Sequence, residues 1–322
     1  MIATVARGLA VVAIGLAVID GAAAADYPSR VVKIVVPIAA GGPVDLVARA
    51  TADHLAATLK QPFIVENRPG AGGNLGINVV TASPSDGYTL LVALGTMLTI
   101  NPGLYKPPPF DPETQLKPIS TLTTSSQLLV VHPSHPAKTL AEFIALAKRK
   151  PLTYGTSGFG TPSHLTMEYL RRLAGFEATP ASYRGNPQLV VDLVAGQIDA
   201  GFVATAGVIQ QVKDGKLRTL AISSAKRSRL AADVPTIAEA GFPGFSFDSF
   251  ILLLAPAGTP HDVCAVLERE VRAAVSDPEF ARRFGAQDIE AVGNSSGAAK
   301  AWIGSETKRW AEFLKTANIR ID

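Results

Sequence analysis

The chain carries a single cysteine, Cys264, in 322 residues. One thiol forms no internal disulfide and supplies no thiolate metal cluster; beside Val263 in a helical pattern it reads as a small buried hydrophobe. There are only five histidines, and none falls in an H-E-x-x-H spacing. His132 and His135 stand three apart, but each precedes a proline. No metal and no cofactor is therefore expected. Charge of one sign is also lacking. Thirty Lys and Arg against 27 Asp and Glu leave +3, too little and too scattered for a nucleic-acid binder. Enzyme signatures fail as well. Gly70-Ala71-Gly72 is followed by Leu75 where a dinucleotide fingerprint needs glycine, and there is no G-x-x-x-x-G-K-[ST]. Gly155-Thr156-Ser157-Gly158 approaches a nucleophile elbow, but Phe159 takes the second glycine's place. Ser223 to Lys226 fits S-x-x-K without its companion motifs.

What is present begins with an address. Arg7 gives the first residues positive charge, Leu9 to Ile19 is apolar but too short to span a bilayer, and Ala23-x-Ala25 suits a signal peptidase. Residues 1–25 read as a secretory signal cut before Asp26, so the product is expected in the periplasm. No later run is long and apolar enough to cross a membrane.

Strand and helix patterns then alternate. Val31 to Pro37 is nearly all β-branched, as in a strand buried on both faces, and Pro43 to Leu59 reads as a helix. Thr139-Leu140-Ala141-Glu142 is a capping box, followed by Leu140, Phe143, Ile144 and Ala147 on one helical stripe. A second long apolar strand is expected over Phe245 to Ala255, and the last 60 residues are mostly helical. Length and alternation predict two α/β domains with parallel sheets.

One design recurs three times: a strand, a glycine-containing loop, then a helix opened by a cap residue and a proline. The instances are Ala39-Ala40-Gly41-Gly42-Pro43, Ser157-Gly158-Phe159-Gly160-Thr161-Pro162 and Tyr183-Arg184-Gly185-Asn186-Pro187. Gly42, Thr161 and Asn186 fit the cap position. Such helix starts hold unpaired N–H groups and partial positive charge, which suit a carboxylate. The same residues also suffice for ordinary capping, and spacing does not decide whether the loops converge. Asp45, at the third helical position, has two uses as well: it complements the helix dipole or meets a ligand. His164 in a first turn and Arg184 beside Gly185 are open in the same way.

These loops, with the segments around them, resemble the Bug family, the periplasmic receptors of tripartite tricarboxylate transporter systems. The resemblance runs from Tyr27 to Asp322. It includes Tyr27-Pro28-Ser29-Arg30, Val65 to Asn74 (VENRPGAGGN), Pro84 to Leu90 (PSDGYTL), Ile100 to Tyr105 and Gly160-Thr161-Pro162-Ser163-His164-Leu165. Tyr183-Arg184-Gly185, Leu220 to Ser228, Asp233 to Gly241 and Leu254 to Pro260 complete it.

The resemblance implies a two-lobed periplasmic-binding-protein fold of type II: two α/β domains joined by two crossing strands and closing like a flytrap. Residues 26–125 and 250–322 would form domain 1, and residues 126–249 domain 2. It implies a non-catalytic, monomeric receptor for a small carboxylate, or a related amide or aromatic acid, that delivers it to membrane transporter subunits. The ligand-binding residues it implies are Ala39, Ala40, Gly41, Gly42 and Asp45 in the first domain, with Gly95 and Thr96 also facing the cleft. In the second they are Gly160, Thr161, His164, Tyr183, Arg184 and Gly185, and Ser157, Gly158 and Thr205 are expected beside them. Two other functions fit the same residues: a hydrolase using Ser157 and His164, or a ligand sensor for a signalling partner. The chain departs from the family pattern in three places. Val203, Ala204, Thr205 and Ala206 follow Phe202 where Asp or a similar polar group is common, which disfavours an amino-group ligand. Phe250-Ile251 replaces an aromatic pair, and Ile38-Ala39-Ala40 replaces a Phe-Pro-Pro-like stretch.

Overall fold

A computed structural model describes residues 27–183 and 185–317. The expected signal segment, Arg184 and the last five residues lie outside the described residues.

The β-branched opening run forms β1 (Val32–Val36), and α1 (Pro43–Leu59), β2 (Phe63–Asn67), α2 (Asn74–Thr81) and β3 (Thr89–Leu94) follow. Two short helices, α3 (Gly95–Thr99) and α4 (Asn101–Leu104), and one turn of helix, α5 (Pro112–Gln115), lead into β4 (Leu116–Ser125). Then come β5 (Gln127–Val131), α6 (Leu140–Ala147), β6 (Leu152–Thr156), α7 (Pro162–Ala174), β7 (Ala178–Ser182), α8 (Asn186–Val194), β8 (Ala200–Ala204), α9 (Thr205–Lys213) and β9 (Arg218–Ile222). The chain closes with β10 (Ser249–Pro256), α10 (His261–Ser276), α11 (Pro278–Gly285), β11 (Ile289–Ala291) and α12 (Ser296–Ala317).

These strands make two sheets, ordered β11-β4-β10-β3-β1-β2 and β7-β6-β8-β5-β9. The sheets are mixed rather than purely parallel: β10 runs antiparallel to both β3 and β4, and β5 runs antiparallel to β8 and β9. The reason is the double crossing. A strand that returns from the other lobe enters its sheet against the direction of the βαβ strands.

Strand alternation places apolar side chains on both faces of each sheet. In the first, Val32, Ile34 and Val36 join Val47 and Leu55 of α1 and Leu267 and Val271 of α10. Val35, Leu91 and Ala93 turn the other way, toward Ile77 of α2 and Ala299 and Ile303 of α12. In the second sheet, Leu128 and Val130 face Leu189 and Leu193 of α8. Leu129 and Val131 share a core with Phe143, Leu165 and Leu170 of α6 and α7. That core also takes in Ile100, Leu104, Trp310 and Phe313, so the far end of α12 seals the second lobe. Phe245 and Phe247, expected in a strand, are instead buried in this core, and β10 starts only at Ser249. Tyr169 packs edge-on or tilted against Phe245, Trp310 and Phe313.

The junction between the lobes is narrow. Ser125 ends β4 and Gln127 begins β5, with Ser126 between them. The return path enters at Ser249, which pairs with Ser125. Asp288, in the turn before β11, accepts hydrogen bonds from Ser126 Oγ (2.9 Å) and from Ser228 Oγ (2.6 Å), tying the crossing strand to the second lobe. With Thr124 and Asp248 these three residues border a cavity of about 240 Å³.

Register fixes which edges meet. Leu94, the end of β3, pairs with Ile251 near the entry of β10. Ala204, the end of β8, pairs with Gln127 at the entry of β5. The carboxyl ends of the parallel strands in both sheets therefore point to the junction, where α/β sheets place their ligands.

Candidate functional site

The first-lobe loop joins β1 to α1. Gly42 caps the helix with extended backbone (φ −83°, ψ 172°), and Pro43 takes the first helical position. The first helical hydrogen bond is Leu46 N–H to Gly42 O, which leaves the amides of Val44 and Asp45 without helical acceptors. Gly41 sits at φ +89°, a conformation that favours glycine. A Cβ built at Gly41 or Gly42 would meet nothing within 4 Å, so the backbone faces open space. Ala39, Ala40 and Gly41 are exposed.

Asp45 shapes this loop. It is 2% exposed; its Oδ2 accepts from the Gly41 amide (2.9 Å) and Arg49 Nε (3.0 Å), and its Oδ1 from Asn67 Nδ2 (2.9 Å). Burial pushes its pKa up, but the hydrogen bonds from Arg49, Gly41 and Asn67 outweigh this and hold the carboxyl below its ordinary range. Asn67 Nδ2 also reaches Ile38 O (3.1 Å). Both carboxylate oxygens thus serve the loop itself.

The second-lobe loop joins β6 to α7 and carries a cluster of four hydroxyls. Ser163 Oγ lies 2.9 Å from Ser157 Oγ, 3.0 Å from Thr161 Oγ1 and 3.1 Å from Thr156 Oγ1, and accepts the Ser157 amide at 2.9 Å. Thr161 donates to Gly158 O (2.6 Å) and makes no side-chain cap. His164 is 5% exposed, and its Nδ1 accepts from the Gly160 amide (3.3 Å). With Nδ1 accepting, a neutral ring carries its proton on Nε2. Burial lowers the His164 pKa, against a pull upward from Glu168 and with a push downward from Arg171, so the ring stays neutral at pH 7. It stacks on Tyr154 (6.4 Å, 18°), whose hydroxyl donates to Glu168 (2.7 Å). Ser157 has two hydroxyls beside it, those of Thr161 and Ser163, and among the described residues no hydrogen bond joins it to His164. A hydrolase would need a general base at that hydroxyl.

Other residues singled out in the sequence take different places. Gly95 is buried, and a Cβ there would come within 2.3 Å of the Trp302 ring, so its glycine serves packing. Thr96 follows it in the first turn of α3, 9% exposed. Tyr183 donates its hydroxyl to Asp192 (2.6 Å), and burial with that hydrogen bond raises its pKa to about 12. Gly185 (φ +142°), not Asn186, caps α8; the helix starts one residue earlier than the proline implies. Arg184 lies outside the described residues. Thr205, 1% exposed, opens α9 at the end of β8, with its hydroxyl 3.2 Å from that of Ser126. The starts of α7, α8 and α9 follow the neighbouring strands β6, β7 and β8, which are parallel, so they lie along one edge. Thr156, Ser163 and Phe159 were not singled out; Ser163 was hidden because its hydroxyl turns back into the loop.

Among the described residues of these loops (39–45, 95–96, 157–164, 183, 185 and 204–206), Asp45 is the only carboxylate, and it is occupied. Among the described residues no hydrogen bond crosses from the 39–42 loop to the 157–161 loop.

Residues 47–319 match the model of the tripartite tricarboxylate transporter family receptor. Protein BugT of Bordetella pertussis is 31% identical over 321 residues, which cover 98% of this chain and 98% of BugT. Among solved structures, Rpa4515 of R. palustris with adipate superposes with a TM-score of 0.81 at 31% identity, covering 92% of this chain and 99% of that one. MatC of Rhodopseudomonas palustris with bound malate gives 0.77 at 30% identity, covering 89% and 99%. The periplasmic binding protein BugD gives 0.77 at 32% identity, covering 91% and 99%.

Proposed function

The chain belongs to the tripartite tricarboxylate transporter receptor family, a family of solute-binding receptors, and from that premise we propose how it holds its solute. The solute is a small carboxylate, as in the relatives named with adipate and malate. It sits between the lobes and accepts hydrogen bonds from backbone amides at the start of α1 and from the loop before α7. Ala39, Ala40, Gly41, Gly42, Ser157, Gly158, Gly160, Thr161 and His164 line the site, with Thr96, Tyr183, Arg184, Gly185 and Thr205 at its margins. Asp45 positions the first loop, and Gly95 allows Trp302 to pack.

The observation that carries this reading is the pairing of edges. Both sheets turn the open ends of their helices toward one junction, and these loops bear no free carboxylate. Helix starts stabilise an anion there without any charged side chain. Among the described residues the 39–42 and 157–161 loops make no mutual hydrogen bond, so a ligand that bridges them favours the closed form.

The reading also assigns residues 26–125 and 250–322 to the first domain and 126–249 to the second. The end of β4 at Ser125 and the start of β10 at Ser249 support that division, while Trp310 and Phe313 are shared with the second. The protein works as a monomer in the periplasm after a signal is cut before Asp26. It performs no catalysis and hands its ligand to membrane transporter subunits. No helix among the described residues is long and apolar enough to cross a membrane.

The test is thermal unfolding of refolded, ligand-stripped protein with mono-, di- and tricarboxylates, aromatic acids, their amides and neutral sugars. A ligand at 1,000 times its Kd adds about 4 kcal/mol, a clear rise in midpoint. A rise with one or a few acids and none with sugars is expected. No rise with any acid would remove the anion site.

A further inference from the structure

The inference rests on the receptor reading above and concerns what the site selects. Eight large apolar side chains are exposed among the described residues, and Phe159, 56% exposed, is the one aromatic among them. It stands between Gly158 and Gly160, both at positive φ (135° and 75°), in the loop before α7. The fold does not need it there: Thr161 takes the cap position of α7, and the helix's buried face is filled by Leu165, Met167 and Leu170.

Yet the ring is not loose. It meets His164 edge-on, with centroids 5.2 Å apart and planes at 90°. His164 in turn stacks on Tyr154, and Tyr154 is pinned by its hydroxyl to Glu168. An apolar surface that is both exposed and held in place suits a guest with an apolar body. The loop from the other lobe offers more of the same, since Ala39 and Ala40 are exposed and carry only methyl groups. Among the described residues of these loops no free carboxylate is present to receive an amino group.

We propose that Phe159 is the specificity-determining residue of this chain. It favours a carboxylate whose remaining part is an aromatic ring or a chain of four or more methylene carbons over an acid of similar charge bearing hydroxyl groups. The amides of the helix starts take the carboxylate, and the Phe159 ring takes the apolar body. A hydroxyl set against that ring would lose water and gain no partner.

Calorimetric titration of ligand-stripped protein with phenylacetate, adipate and malate tests this, using the unaltered chain, Phe159→Ser and Phe159→Leu. The unaltered protein is expected to bind phenylacetate or adipate at least about tenfold more tightly than malate. In Phe159→Ser that preference should fall by about tenfold, the scale of one lost aromatic contact. Phe159→Leu should restore most of the adipate preference. Because the ring is exposed, the unliganded melting midpoint reports whether each variant is folded. A preference unchanged in Phe159→Ser, or an unaltered protein that favours malate, overturns the proposal. Binding of none of the three also overturns it. If other acids still raise the melting midpoint, the receptor reading survives without it; if none does, both fall.

Discussion

Three donors converge on the Asp45 carboxylate: the Gly41 amide, Arg49 and Asn67. Removing the acceptor takes a partner from each of them, although Asn67 keeps Ile38 O and Gly41 and Arg49 are exposed to water. Asp45→Ala is expected to cost about 2 kcal/mol of stability, seen as a lower melting midpoint, and to weaken binding of whichever acid the protein takes. The pH dependence has a definite sign. A carboxyl held below its ordinary pKa contributes stability that is complete above about pH 4 and is lost as pH falls through the lower folded value. The gap between Asp45→Ala and the unaltered protein should therefore be full at pH 7 and close on acidification below about pH 4. A gap that stays constant down to pH 2 would refute this role. At the same scale, glycines with similar sequence surroundings turn out differently. Gly41 and Gly42 face open space, whereas Gly95 lies under Trp302, which comes from the far end of the chain. The sequence around Gly95 contains no sign of that ring.

The helix starts were legible as elements because capping and proline chemistry is local. Pro43–Leu59 has the bounds its pattern predicts, and Thr139 accepts from the Glu142 amide as a capping box requires. Where tertiary contacts decide, local pattern misled. Phe245 and Phe247 continue the apolar run of β10 but are claimed by the aromatic core of the second lobe, so the strand begins later. Asp248, between that core and β10, shows what the crossing costs. Burial raises its pKa to about 6; Glu290 and Glu306 push the same way, while Ser246 and Arg309 oppose them. A carboxyl raised in the folded state takes up a proton more readily folded than unfolded. Stability is therefore gained as pH falls from about 6 toward 4, and its charged form weakens the hinge above pH 6. Asp248→Asn should raise the melting midpoint by a few degrees at pH 7.5 and lose that advantage by pH 4.5. An equal effect at both values would show that the carboxyl does not titrate in this range.

At the scale of the molecule, two sheets present their strand ends to one junction. The chain crosses between them at Ser126 and at the Ser249 entry, and Asp288 adds its hydrogen bonds there. Alternation of strand and helix in the sequence pointed to two α/β units; it did not show that β10 and β4 run antiparallel to their neighbours, because direction depends on which lobe a strand returns from. It also did not show that α12 spans both lobes, with Ile303 in one core and Trp310 in the other. Shared packing of this kind anchors the second lobe to α12. The central claim is that an acid draws the two rows of helix starts together. Small-angle X-ray scattering of ligand-stripped protein, with and without the acid that raises its melting midpoint most, measures this most directly. A smaller radius of gyration with the acid, and no change with a neutral sugar, is the predicted result. An acid that stabilises the protein yet leaves its radius unchanged would contradict closure around a bridging carboxylate.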